Sequence, residues 1–196
     1  DEVGTPIPFK WGKCKLATTS YGHGITTTPL QLAKAYAILG NGGYKITPSI
    51  LKKSNKLKKR EQIISEKTSN AINTMLRKVV SLDEGTANFA NVEGYEVGGK
   101  TGTALKYNSK AKLNTFVSLF PASKPKYVLL VMLDEPKPAP SFVYEFPPSE
   151  KFPNGYKYKG EKRNTSGWNT VVVAGKIIEK IGPILAINNL QASKNF

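Results

Sequence analysis

The sequence predicts an α+β domain, with helical text first, three strands after it and a closing helix at the end. Three observations carry that expectation. Ile72, Met75, Leu76, Val79 and Val80 fall at the i, i+3, i+4, i+7, i+8 spacing of a core-facing helix stripe. Strand-like segments follow at Tyr95–Ala104, Thr115–Phe120 and Tyr127–Leu133. An apolar helix then returns at Asn169–Ile181. With 196 residues, the chain has the size of one domain or a large part of one.

Residues 1–28 carry Pro6, Pro8 and several glycines without helical period, and read as an irregular, Thr-rich lead-in. Thr28 then suits an N-cap and Pro29 the first helical position, while Leu30, Leu32, Ala33, Tyr36 and Ala37 begin an apolar face. Gly40-Asn41-Gly42-Gly43 tolerates left-handed φ and stops that helix. Tyr44–Leu51 reads as a short extended piece before a lysine-rich turn. Ser65 caps the second helix, and Ser81–Thr86 ends it.

Tyr127–Leu133 is continuously apolar, the pattern of a strand in the middle of a sheet. From Asp134 to Gly167 the text changes: six of the 13 prolines fall there, interleaved with Phe142, Tyr144, Phe146, Phe152, Tyr156 and Tyr158. This reads as a long, poorly ordered loop or flap rather than a linker, because the apolar helix follows it. Gly175 in that helix would allow close approach to a sheet, and Pro183 lies just beyond its end. The expected organisation is a mainly helical part at 1–94, the three strands at 95–134, the Pro/aromatic loop at 135–166 and the closing helix at 167–187.

Composition excludes several function classes. Hydrophobic residues at 39% and charged residues at 22% suffice for a packed core and exclude a disordered tail. No apolar run reaches the ~18 residues of a membrane span and no segment resembles a signal peptide, so the chain as given reads as soluble. The single cysteine, Cys14, excludes an internal disulfide and a multi-cysteine metal site; nothing nearby argues for a reactive thiol. The single histidine, His23, leaves one candidate base for a Ser-His-Asp triad and removes the His-rich zinc patterns. No metal or cofactor is implied.

The net charge of +15 raises nucleic-acid binding as a possibility. Only three of the 29 basic residues are arginines, Arg60, Arg77 and Arg163, and arginine is the side chain that reads phosphate and guanine in bidentate fashion. One dense run, Lys52–Arg60, interrupts otherwise scattered lysines. A solvated, lysine-biased surface fits better than a nucleic-acid interface, with attraction to an anionic polymer as the alternative.

The residues that carry chemistry are Gly98-Gly99-Lys100-Thr101-Gly102-Thr103-Ala104. On a strand they put an ammonium and two hydroxyls beside Gly102, where a ligand backbone can come close. Such an edge can bind a carboxylate and offer backbone N–H groups to a developing oxyanion; a glycine-rich bulge with a solvated lysine is the bland alternative. A phosphate-cradling P-loop is excluded, because it needs a glycine-rich loop before Gly-Lys-Ser/Thr and a helix after it.

Lys100-Thr101-Gly102 resembles the third signature of penicillin-binding proteins and serine β-lactamases. The context strengthens the likeness: Tyr21-Gly22-His23-Gly24 leading into Thr28-Pro29-Leu30-Gln31-Leu32-Ala33, then Asn41-Gly42-Gly43, Gly85-Thr86-Ala87 and Phe116–Ala122. Leu133-Asp134-Glu135-Pro136 and Gly167–Ile178 resemble the end of such domains. The likeness is to class B penicillin-binding proteins, and Pro8-Phe9-Lys10-Trp11 with Gly167-Trp168 resembles the cell-division (septal) members.

That resemblance implies a D,D-transpeptidase that cross-links peptidoglycan stem peptides through a serine acyl-enzyme and is inhibited by β-lactams. It implies that Lys100 helps a proton relay, and that Thr101, Gly102 and Thr103 form the substrate strand. The Thr101 and Thr103 hydroxyls would hold a carboxylate, and the Thr103 N–H would supply half of the oxyanion hole. It also implies the periplasmic face of the bacterial inner membrane and membrane-bound divisome partners. In the family the S-x-x-K nucleophile and the S-x-N motif precede the Gly-x-Gly…TPLQ segment. The expectation is therefore the C-terminal half of the transpeptidase fold, carrying the binding strand without its serine, inactive alone and prone to self-association. Ser49…Lys52 and Ser109…Lys112 have the right spacing in the wrong place, and Ser149-Glu150-Lys151 has the wrong spacing. His23 fits a turn better than a relay.

Overall fold

A computed structural model describes residues 12–22, 24–51, 60–106 and 109–194. Pro8–Trp11, His23, the lysine run 52–59 and Tyr107-Asn108 lie outside the described residues. After a short helix α1 (Lys15–Thr19) in the lead-in come α2 (Pro29–Gly40) and α3 (Glu66–Ser81). Then follow a 3-10 turn at Asn88–Ala90 and the strands β1 (Gly98–Leu105), β2 (Lys112–Phe120) and β3 (Tyr127–Asp134). A hairpin of β4 (Ala139–Phe146) and β5 (Tyr156–Gly160), a 3-10 turn at Ser166–Trp168 and α4 (Thr170–Lys194) complete the chain.

The caps form as the sequence predicts. Thr28 Oγ1 accepts from the Gln31 N–H at 3.1 Å while Gln31 Oε1 accepts from the Thr28 N–H at 2.9 Å, a full capping box. Ser65 Oγ accepts from the Thr68 N–H at 3.1 Å. Gly43 at the end of α2 has φ +86°, and a Cβ there would lie 2.1 Å from the Ile64 carbonyl oxygen. On α3 the buried line is Ser69, Asn73, Leu76 and Val80, with Ile72 and Val79 half-buried. Met75, expected in that stripe, is 58% exposed. Two polar residues take part in the buried line because they satisfy the carbonyls left open where α2 ends: Ser69 Oγ donates to Leu39 O and Asn73 Nδ2 to Gly40 O.

β1, β2 and β3 form an antiparallel sheet in sequence order, with Thr101 opposite Phe116 and Phe116 opposite Val131. α4 covers one face, and α2 and α3 cover the other. The core lies mainly under α4, where Val171, Ala174 and Ile178 meet Val80, Val97 and Phe116, all fully buried. β3 departs from its reading as a middle strand: among the described residues it pairs with β2 alone and lies at the sheet edge. Its apolar side chains are explained by helices packed on both faces, which a run of apolar residues reports equally well.

The segment 135–166 is the main correction. Instead of a poorly ordered loop it contains the β4–β5 hairpin, with Tyr144 opposite Tyr158 and Phe146 opposite Tyr156. Phe142, Tyr144 and Phe146 alternate along β4, so they share one face. The Tyr144 hydroxyl donates to the Trp168 carbonyl, and Phe146 stacks on Tyr156 with centroids 4.3 Å apart and planes 4° apart. Arg163 lies over Tyr158 and Trp168, at 4.4 and 4.8 Å from their centroids. The prolines Pro147, Pro148 and Pro153 occupy the turn, where no ladder N–H is needed. Two details of α4 also differ: it continues through Pro183, and Gly175 admits the Asn88–Ala90 turn rather than the sheet, a Cβ there meeting Phe89 O at 2.3 Å.

Candidate functional site

β1 alternates, so Gly98, Lys100 and Gly102 share the face toward α2 and α3, while Gly99, Thr101 and Thr103 share the face toward α4. The first two glycines are needed for packing: a Cβ on Gly98 would lie 3.1 Å from the Arg77 nitrogen, and one on Gly99 2.6 Å from the Phe116 ring. Gly102 is different. The nearest atom to its Cβ would be Thr115 Cβ at 3.8 Å, an ordinary contact, so packing within the domain does not itself demand glycine there.

The hydroxyl pair is held from two other elements. Thr103 Oγ1 accepts the Ser166 N–H at 3.0 Å, so its own proton must point to another acceptor. Thr101 Oγ1 lies 3.2 Å from Thr86 Oγ1; one of the two donates to the other, which leaves a single hydroxyl proton of that pair unspent. Two donors therefore face the same side, matching the two oxygens of one carboxylate. Both supports are rigid. Ser166 is 1% exposed and donates from Oγ to Thr115 O at 2.7 Å. Thr86 sits on a turn wedged against α3, where a Cβ on Gly85 would lie 2.3 Å from Val79 O.

The structure thus brings Thr101 and Thr103 together with Thr86, on a cavity of about 420 Å³ that Phe146, Tyr156 and Trp168 also line. Lys100 is exposed, and its ammonium donates to Thr101 O at 2.9 Å. Lys106, at the end of β1, is engaged elsewhere, with Asp134 at 2.6 Å and Glu135 at 2.9 Å; hydrogen bonds to these two carboxylates push its pKa up. Lys100 is therefore the cation of this strand available to a ligand. Cys14 is exposed, and no cluster of metal-binding side chains occurs among the described residues.

None of the Ser-x-x-Lys matches reaches this strand's hydroxyl face from the start of a helix. Ser49 donates to Leu51 O in coil and Ser109 lies in the β1–β2 connection; Ser149, whose spacing to Lys151 is wrong in any case, lies in the hairpin turn. A further match, Ser123…Lys126, lies in the β2–β3 turn, with Ser123 bonded to Glu96. Thr86 carried a hint in its Gly-Thr-Ala setting, but no role; Ser166 carried no signal, because its contribution is a backbone N–H.

Residues 2–145 match the penicillin binding protein transpeptidase domain. The chain belongs to that family. It is 34% identical over 202 residues to the probable peptidoglycan D,D-transpeptidase FtsI of Caulobacter vibrioides, covering 95% of this chain and 31% of that protein. To stage V sporulation protein D of Bacillus subtilis it is 39% identical over 153 residues, covering 68% of this chain and 23% of the relative. Among solved structures, the transpeptidase domain of Burkholderia pseudomallei penicillin-binding protein 3 superposes with TM-score 0.64 at 29% identity, covering 89% of this chain and 47% of that one. The chain spans a third or less of these curated relatives and about half of that solved domain. The α+β architecture read from the sequence is that of penicillin-binding transpeptidases.

Proposed function

We propose that this chain forms the substrate-binding strand of a serine-type peptidoglycan D,D-transpeptidase of the septal, cell-division kind. The observation that carries the reading is that the Thr101 and Thr103 hydroxyls share one face of β1, with Thr103 obliged by Ser166 to act as a donor. The terminal carboxylate of a donor stem peptide, or of a β-lactam, is the ligand with that charge and shape. Each hydrogen bond to a carboxylate contributes about 1.5–3 kcal/mol, enough for two of them to orient the scissile carbonyl. The Thr103 N–H then supplies half of the oxyanion hole, and Lys100 contributes positive charge to the proton relay. The nucleophilic serine comes from a segment outside these 196 residues. No cofactor is required. The protein acts at the periplasmic face of the inner membrane, beside membrane-bound divisome proteins.

This chain alone therefore forms no covalent adduct with penicillin, whereas the full-length protein does. Intact mass after incubation with a fluorescent penicillin reads both; one stable adduct on any serine of the isolated chain would overturn the assignment. The net charge of +15 leaves the second reading, a module for an anionic polymer, and titration against peptidoglycan or DNA over a salt series separates the two.

A further inference from the structure

Three polar side chains are sealed between β2 and the start of α4: Asn114 and Thr170 are fully buried, and Ser166 is 1% exposed. Burying such groups costs free energy unless they are bonded, so their bonds show what holds them there. The cluster adjoins the binding strand. Asn114 stands opposite Thr103 in the sheet, and Thr115, whose carbonyl Ser166 Oγ reaches at 2.7 Å, stands opposite Gly102.

Counting protons fixes the direction of every bond. The Ser166 hydroxyl proton goes to Thr115 O, so the 2.7 Å contact between Ser166 Oγ and Thr170 Oγ1 requires Thr170 to donate. Thr170 Oγ1 also lies 3.1 Å from Ser166 O, so its one proton is shared between two acceptors on the same residue. The chain therefore runs one way: Thr170 to Ser166, Ser166 to Thr115, and the Ser166 N–H to Thr103 Oγ1 at 3.0 Å. Asn169 ties the same turn to β2 a second time. Its Oδ1 accepts from Asn114 Nδ2 at 3.1 Å and from the Thr170 N–H at 2.7 Å. Asn114 Oδ1 has no donor among the described residues, so the bond to Asn169 is what offsets burial of that amide. On its other side the turn is closed by Thr86, the partner of Thr101: a Cβ on Gly167 would lie 2.7 Å from Thr86 O.

We infer that Ser166 and Thr170 are positioning residues for carboxylate capture, acting through Thr103 without touching the ligand. Neither lines the cavity beside Thr101 and Thr103. The Thr170 hydroxyl holds Ser166, the Ser166 N–H occupies a lone pair of Thr103, and the Thr103 proton is left to donate. Without this relay the Thr103 hydroxyl can turn its lone pairs to the ligand, so that two acceptors face each other. The inference rests on the proposed transpeptidase function and adds to it the groups that set the polarity of the carboxylate site.

The test uses the full-length protein and compares second-order acylation by a carboxylate-bearing penicillin with acylation by its methyl ester. Taken as a ratio within each variant, the comparison does not depend on the fraction of protein that folds. Thr170→Val keeps the shape of the side chain and removes its proton, and Ser166→Ala removes the hydroxyl that grips Thr115. Each lowers the acid-to-ester ratio about five- to tenfold, whereas Thr170→Ser, which keeps the hydroxyl, stays within about twofold of wild type. Added to Thr103→Ala, Thr170→Val changes the ratio no further, because the hydroxyl it acts through is gone. An unchanged ratio in both Ser166→Ala and Thr170→Val overturns the inference, as do additive losses in the double variant. Acid and ester reactions slowed or lost together also overturn it, since the cluster would then support the fold alone. A full-length wild-type protein that penicillin does not acylate instead overturns the proposed function, and the inference with it.

Discussion

Thr103 has its hydroxyl oxygen already engaged by the Ser166 N–H, so the hydrogen on that oxygen is the one free to meet a ligand. Removing a donor of this kind, or the neighbouring ammonium, typically costs about 10²–10³ in rate at an oxyanion or charge site. In the full-length protein Thr103→Ala and Lys100→Ala lower β-lactam acylation on that scale. Lys110→Ala, an exposed change in the connection after β1, leaves it unaltered; stopped-flow acylation that treats all three alike would remove the strand from the active site. Thr86 acts through Thr101. Thr86→Val leaves Thr101 without its partner and lowers acylation by a carboxylate-bearing penicillin about tenfold, while Thr86→Ser preserves it. The methyl ester of the same penicillin reports whether the effect passes through the carboxylate: a merely structural loss would slow acid and ester together.

At the scale of the element, the β4–β5 hairpin is held to the domain by the Tyr144 hydroxyl on Trp168 O and by ring contacts of Tyr144, Phe146 and Tyr158 with Phe89 and Trp168. Tyr144 is 5% exposed, and burial raises its pKa above the ordinary tyrosine value. The neutral phenol is the form that donates to Trp168 O, so folding favours it. Its contribution is full below the unfolded value of about 10 and is lost as pH rises through the folded one. Trp168 fluorescence therefore stays constant up to about pH 10 and changes above it, a step that Tyr144→Phe diminishes. The same variant leaves the Trp168 carbonyl without this donor and lowers stability by about 1–2 kcal/mol, read from thermal unfolding. Identical alkaline profiles in both proteins would mean that another group governs the transition.

At the scale of the molecule, the described residues leave one edge of the sheet at β3. Among the described residues β3 bonds β2 on one side only, and Tyr127–Leu133 contains neither charge nor proline to block a new partner. Met75 on α3 and Met132 on β3 add exposed apolar area. The isolated chain is therefore expected to self-associate through the 127–133 edge or the exposed face of α3. Since the copies carry a net charge of +15 each, added salt strengthens the association by screening their repulsion. Sedimentation over a concentration and salt series checks this, with hydrogen exchange at 127–133; a monodisperse monomer whose amides there exchange freely would contradict it.

Much of this fold is legible locally. Thr28-Pro29 and Ser65 mark helix starts through their own capping bonds, and β2 and β3 follow from short apolar runs, with all three strands within a few residues of their expected bounds. The Lys-Thr-Gly-Thr strand is likewise visible, because its chemistry lies in consecutive residues. By itself, then, the sequence determined the α+β class, the order of the main helices and of β1–β3, and the family. What tertiary structure decided is which distant groups meet. Thr86 comes to Thr101 across 15 residues and Ser166 to Thr103 across 63, and no local period encodes either contact. The hairpin left a trace in the alternation Phe142, Tyr144, Phe146, but Pro and Gly content masked it until Phe89 and Trp168 supplied a surface to pack on. Met75 and β3 show the same limit. Hydrophobic pattern states which side chains can be buried, and only the neighbours that pack against them decide which are.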